Sequence, residues 1–145
     1  MKARMSIKSV EPRIYEAMRA AEKQIEAFSF DPILKGLIKI RASQINGCGY
    51  CINLHAKEAR KAGETEQRIY ALSAWWETPF FSEEEQSVLK LTEQVTHISQ
   101  HGIDDDVYNK ALKLFGEQKL AQLIFVIITI NGWNRIAITT HMVAE

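Results

Sequence analysis

An all-α fold is predicted by three observations. Apolar residues recur at helical spacing along nearly the whole chain, no segment alternates as a half-buried strand would, and turn signals such as Asn46-Gly47, Gly63, Gly102 and Gly116 separate the periodic stretches. With 145 residues and a hydrophobic share of 46%, the chain can bury a substantial core. The expectation is therefore one compact multi-helix domain spanning residues 1–145.

Each element has its own justification. A first helix runs from about Glu11 to Phe28, with Pro12 suited to the first turn and Ile14, Met18, Ala21, Ile25 and Phe28 forming an apolar stripe. Asp31 is a natural N-cap for a second helix, which carries Leu34, Leu37, Ile38 and Ile45 and breaks at Asn46-Gly47. A third begins at or near Cys48 and stops at Gly63, a good residue just past a helix end. A shorter helix follows from about Thr65 to Trp75, and Pro79 closes that region. Ser82-Glu83-Glu84-Glu85 has the pattern of a capping box, so a fifth helix runs from Glu83 to about Gln100 with Val88, Leu91, Val95 and Ile98 inward. Asp104 to Phe115 and Gln118 to about Thr140 form the last two, separated by Gly116. The final helix is apolar around most of its circumference, so neighbouring helices or another subunit must cover it.

Charge and hydropathy exclude several classes of function. Eighteen basic and eighteen acidic side chains balance, leaving no overall field to attract nucleic acid or an acidic membrane. Met1 to Val10 lacks the apolar core and cleavage site of a signal peptide, and Leu120 to Ile130 falls short of the roughly 20 residues of a spanning helix. The expected location is the cytoplasm, with no membrane and no nucleic-acid partner. No phosphate-cradling glycine loop and no flavin or nicotinamide fingerprint is visible, so no cofactor is expected.

The chemistry centres on Cys48-Gly49-Tyr50-Cys51. In a reducing compartment such a pair means metal binding or redox chemistry. Two thiols three residues apart at a helix start can close into a disulfide, and the free amides and dipole there favour thiolate over thiol. His55 lies four residues beyond Cys51, so the three side chains are expected on one helix face, where an imidazole can relay a proton to a leaving group. Tyr50 could cover the sulfurs, touch substrate or simply pack. The competing reading is a zinc-stabilised interaction module completed by His97 and His101. Against it, the two pairs are far apart in sequence, a core of this size needs no metal staple, and both histidines suit a helix C-terminus. Trp75-Trp76 and Phe80-Phe81 read as packing around a bend, with a binding role as the alternative.

The run from Ile38 through Ser43-Gln44-Ile45-Asn46-Gly47 to Cys51, followed by His55 and Ala59 to Gly63, resembles the alkyl hydroperoxidase D-like members of the carboxymuconolactone decarboxylase family. The likeness continues through Glu64-Thr65-Glu66, Ala74-Trp75, Phe81 to Glu85 and Leu91-Thr92-Glu93, and returns at Ile130 to Arg135. It implies an all-helical fold associating as a homotrimer or homohexamer, and a peroxidase that reduces alkyl hydroperoxides in antioxidant defence. By that likeness Cys51 is the attacking thiolate that becomes a sulfenic acid, Cys48 the partner that condenses with it, and His55 the relay imidazole. A dithiol, thioredoxin-like or lipoyl-type reductant would reset the disulfide. Relatives with decarboxylase activity generally lack the paired cysteines. Two departures stand out: Gly36 occupies the position of the family's relay glutamate, and Tyr50 that of a histidine found in some relatives. Glu85 and Glu93 are the candidates to supply the missing carboxylate. The alternative from another class is a disulfide-exchange or redox-sensing protein that turns over no peroxide.

Overall fold

The computed structural model describes residues 1–144, which form helices joined by short connections, with no strand among them. The helices are α1 (Ile7–Val10), α2 (Pro12–Glu26), α3 (Pro32–Asn46), α4 (Gly49–Lys61), α5 (Glu66–Ala71), α6 (Glu83–Thr96), α7 (Ile98–His101) and α8 (Asp105–Thr140), with a tighter 3₁₀ stretch, Leu72–Glu77, after α5. α3 lies at the centre, packed on α4, α6 and α8.

Local chemistry sets the ends of the elements that carry the sulfurs. α3 starts where the Asp31 carboxylate accepts the Ile33 N–H at 2.8 Å and Pro32 supplies a preset φ. It ends at Gly47, whose left-handed φ of 70° is costly for any residue with a Cβ. That turn lets the Cys48 N–H reach Ser43 O at 2.9 Å, so the chain reverses at once and α4 begins. α6 starts with the anticipated capping box: Ser82 Oγ accepts the Glu85 N–H at 3.2 Å, and Glu85 Oε2 accepts the Ser82 N–H at 2.8 Å. The two helices expected on either side of Gly116 follow one another as arms of α8. Gly116 takes φ 75° and ψ 166°, a conformation essentially restricted to glycine.

The core falls into three connected groups. Ile25, Ile38, Val88, Leu91, Leu123 and Ile127 join α2, α3, α6 and α8. Leu37, Ile40, Ala59, Leu72, Trp75 and Leu89 join α3 and α6 to α4 and the 3₁₀ stretch. Ala42, Ile130 and Ala137 enclose the two cysteines. By length and apolar content α8 could cross a membrane, more than was expected of the segment Leu120 to Ile130. One side of it nevertheless belongs to the protein core, with Leu120, Leu123, Val126, Ile127 and Ile130 buried.

Four expectations need correction. α1, capped by Ser6 Oγ accepting the Ser9 N–H at 3.3 Å, was not anticipated. Ile14 is exposed, because α2 turns Met18, Glu22 and Ile25 rather than Ile14 toward the protein. The helix expected up to Trp75 changes to 3₁₀ at Leu72, with Ala74 non-helical at φ −134° and ψ 40°, which buries Trp75 and leaves Trp76 exposed. α6 stops at Thr96 instead of continuing to Gln100, so Ile98 falls on the short α7 and is exposed rather than inward.

Candidate active site

Cys48 is the N-cap of α4, the position usually held by a serine, threonine or aspartate oxygen. Its Sγ accepts the Cys51 backbone N–H at 3.4 Å, so the sulfur sits where the first-turn amides and the positive end of the helix dipole favour an anion. The Cys51 thiol adds the largest effect by hydrogen bonding to this sulfur. Together with the backbone amide and the Asn134 side chain, and against the opposing effect of burial, it brings the Cys48 thiol down to about 7. Donating that bond and being buried push the Cys51 thiol well above the ordinary thiol range, with Asn134 acting in the opposite direction. The two thiols titrate as a coupled pair, and the hydrogen bond from Cys51 together with the cap position favours the anion on Cys48. The family resemblance gives Cys51 the role of attacking thiolate; α4 starts one residue after Cys48, so the Cys48 sulfur is the cap.

Both sulfurs are deeply enclosed, with Cys48 1% and Cys51 2% exposed. Cys51 lines a cavity of about 360 Å³ together with Tyr50, His55, Glu58, Glu22, Lys39 and Trp133, and Cys48 is not among the lining residues. Thus the structure brings Cys51, His55 and Tyr50 to one space and sets Cys48 outside its lining. His55 is buried, and its Nδ1 lies 2.8 Å from Glu58 Oε2. This pairing holds the Glu58 carboxyl below the usual range and leaves Nε2 as the second ring nitrogen for proton transfer. Across the cavity Tyr15 of α2 meets Trp133 of α8 edge to face, with ring centroids 5.8 Å apart.

A buried amide network backs the sulfurs. The Asn46 amide donates to Asn131 Oδ1 and Asn134 Oδ1, each at 2.9 Å. The Asn134 amide donates to Ser43 Oγ at 2.9 Å, and Ser43 in turn donates to Lys39 O at 2.6 Å. Asn131 also donates to Thr96 Oγ1 at 3.0 Å, so the network ties α8 to both α3 and α6. Every group in it gains a partner that the apolar surroundings could not provide.

Neither glutamate expected to complete the relay lies in this cavity. Glu85 accepts from Arg68 Nη2 at 2.5 Å and completes the α6 capping box. Glu93 accepts from Arg41 Nη2 at 2.8 Å and from Trp75 Nε1 at 2.8 Å, and Arg41 also lies over the Trp76 ring at 5.8 Å. Cation pairing commits both carboxylates to holding elements together. At Gly36 a Cβ would lie 3.2 Å from the Ala59 Cβ, a tight contact that a larger side chain could enter only if α4 gave way by a few tenths of an ångström. His97 ends α6, and its Nδ1 lies 3.2 Å from Gln100 Nε2, whereas His101 is exposed. Among the described residues no group of three or more His, Cys, Asp or Glu side chains could hold a metal ion.

The sequence reading missed Glu58, Glu22 and the asparagine network. Glu58, one helical turn beyond His55, carried a usable signal, as did Asn131 and Asn134, two amides in the most apolar helix. Nothing in the sequence pointed to Glu22, which reaches the site only through the packing of α2.

Comparison with known proteins agrees with this architecture. Residues 12–94 match the carboxymuconolactone decarboxylase family. The chain is 41% identical over 138 residues to the uncharacterized protein YdfG of Bacillus subtilis strain 168, covering 95% of this chain and 94% of that one. It superposes with a TM-score of 0.96 and 33% identity, over 99% of both chains, on a crystal structure of ATU0492 from Agrobacterium tumefaciens, a protein of unknown function described as a candidate antioxidant defence protein AhpD. The debrominase Bmp8 shares the fold, with a TM-score of 0.81 at 19% identity over 94% of this chain and 74% of that one. On its sequence, its fold and the arrangement of its helices, the chain belongs to the carboxymuconolactone decarboxylase family, as an AhpD-like member.

Proposed function

We propose that this protein is a dithiol peroxidase that reduces organic hydroperoxides, with Cys51 as the attacking sulfur, Cys48 as the resolving sulfur and His55 as the proton carrier. The observation that carries this reading is the division of labour at the sulfur pair: Cys51 lines a cavity with His55, and Cys48 at the helix cap accepts the hydrogen bond of the Cys51 thiol. As Cys51 sulfur attacks the distal peroxide oxygen, its proton passes to Cys48 and the O–O bond breaks. His55 gives a proton to the departing alkoxide, which leaves as alcohol. Cys48 sulfur then attacks the sulfenic acid on Cys51, and its proton leaves with the hydroxyl as water. Two electrons from the dithiol thereby reduce one hydroperoxide to an alcohol and water.

Regeneration follows the same geometry. A reductant thiol entering the cavity meets Cys51 sulfur, and attack there expels Cys48, the cysteine with the lower pKa and the better leaving group. The depth of both sulfurs favours a slender reductant, a small dithiol or a lipoyl-type arm, over a broad protein face; a thioredoxin-like partner would need local opening.

The test is peroxide consumption with cumene hydroperoxide and a dithiol reductant. Cys51→Ser abolishes turnover, whereas Cys48→Ser stops after one equivalent and leaves a sulfenic acid on Cys51 that dimedone traps. Normal turnover in Cys51→Ser overturns the assignment. A dithiol that cycles in the wild type while peroxide stays constant would make the protein a disulfide-exchange partner instead.

A further inference from the structure

Glu22, Glu26 and Glu58 line the cavity with Cys51, and Glu58 bears directly on the ring that carries protons in the peroxidase reading. Its Oε2 lies 2.8 Å from His55 Nδ1, one helical turn away on α4, with the imidazole 8% and the carboxylate 56% exposed. Between two exposed side chains such a pair is worth little. Here the ring is buried, so the partner of one nitrogen decides what the other can do. The hydrogen bond to His55, opposed by burial and assisted by the charges of Lys39 and Lys61, holds the Glu58 carboxyl below its usual range. At neutral pH it is therefore an anion that can only accept, and the hydrogen of the pair belongs to Nδ1. Lys39 is itself fixed, its Nζ lying 2.7 Å from Glu22 Oε2.

We propose that Glu58 is the positioning residue of the relay: it holds His55 in the Nδ1–H form, makes Nε2 the atom that gives and regains the proton, and so does the work of a carboxylate that Gly36 does not supply. This rests on the peroxidase reading. His55 and Cys51 are four residues apart on α4 and both line the cavity, and side chains so spaced on a helix are neighbours, about 5–6 Å between Cβ atoms. When Cys51 sulfur bonds to the distal oxygen and the O–O bond breaks, the doubly protonated ring gives its Nε2 proton to the alkoxide oxygen. It falls back to the neutral Nδ1–H form, still bonded to Glu58, and bulk solvent recharges Nε2 before the next turnover. Glu58 acts through the ring, by fixing its tautomer and by favouring the charged form that the step consumes.

Two leaving groups test this. Cumyl alkoxide needs a proton to depart, whereas the acetate released from peracetic acid leaves as an anion. In single-turnover reactions of the reduced protein, Glu58→Ala is expected to slow cumene hydroperoxide about tenfold or more relative to peracetic acid, the effect of one charge-assisted hydrogen bond, and His55→Ala to show the same selectivity. Equal slowing of both peroxides by Glu58→Ala, or no slowing of either, overturns the proposal, since damage to packing does not distinguish leaving groups. The Glu58 side chain is exposed and alanine suits a helix interior, so the variant keeps its fold, which circular dichroism checks. Nitrogen NMR of His55, assigned with His55→Ala at about pH 8.5 where an ordinary histidine is neutral, gives an independent readout. The wild type should carry hydrogen on Nδ1 and none on Nε2, and Glu58→Ala should let the Nε2–H form appear. Hydrogen on Nε2 in the wild type, or one tautomer in both proteins, also overturns the proposal. A wild type that leaves cumene hydroperoxide unreduced sinks the peroxidase reading instead, and the nitrogen shifts still decide what Glu58 does to the ring.

Discussion

A sulfur at a helix cap behaves differently from the same sulfur one turn later, and that difference predicts the titration of the pair. Cys48 is brought to about 7 by its bond from Cys51, whereas the Cys51 thiol is raised. Thiolate absorbance of the reduced protein should therefore rise by one equivalent near pH 7, with no second rise at the ordinary thiol value. Replacing Cys48 by Ser should remove that inflection; two ordinary thiol titrations in the wild type would contradict the cap geometry. Linkage gives a matching stability signal. A thiol lowered from 9.0 to about 7 on folding contributes nothing below 7, gains across that interval and contributes fully above it. The melting temperature of the reduced form should thus climb between those values. It should fall at higher pH, where Cys51 ionises only in the unfolded chain.

At the scale of elements, the amides of α8 do what no apolar residue could. Asn134 accepts from Asn46, donates to Ser43 and lies against both thiols, lowering each. Asn134→Ala leaves these buried groups without a partner. It should cost about 2–3 kcal/mol in denaturant unfolding and raise the thiolate inflection above that of the wild type. A change in stability with an unmoved inflection would assign Asn134 to packing alone. The α3–α4 contact allows a second prediction. Gly36→Glu restores the carboxylate of the family pattern but forces side-chain atoms into a space where one Cβ already meets Ala59 at 3.2 Å. Overpacking should destabilise the protein by roughly 1–3 kcal/mol and give no increase in peroxide turnover.

For the whole molecule, the open question is what covers α8. Its inner faces are filled by α2, α3, α4 and α6, yet Ile128 at its middle is 55% exposed. We propose that copies of the chain associate, as a homotrimer or homohexamer, and that Ile128 lies in the contact. Sedimentation equilibrium should give three or six times the 16.6 kDa chain mass, and Ile128→Lys should lower it. A monomer at all concentrations would refute this.

How much was legible in the sequence differs between these scales. The helical class, the caps at Asp31 and Ser82, the stops at Gly47 and Gly116 and the placing of Cys51 ahead of His55 depend on residues within a few positions of one another. Spacing and local hydrogen bonding decide such features, so a linear reading reaches them. Which carboxylate faces the sulfurs depends instead on how α2, α6 and α8 lie against α3, and pattern alone gives no distance between residues far apart in the chain. Glu85 and Glu93 are drawn off by Arg68 and Arg41, while Glu58 comes to His55 and Glu22 to the cavity wall. The balance within the sulfur pair depends likewise on placement: the motif promised a stabilised thiolate, the one-residue offset of the α4 cap favours Cys48, and Asn134, arriving from α8, lowers both thiols.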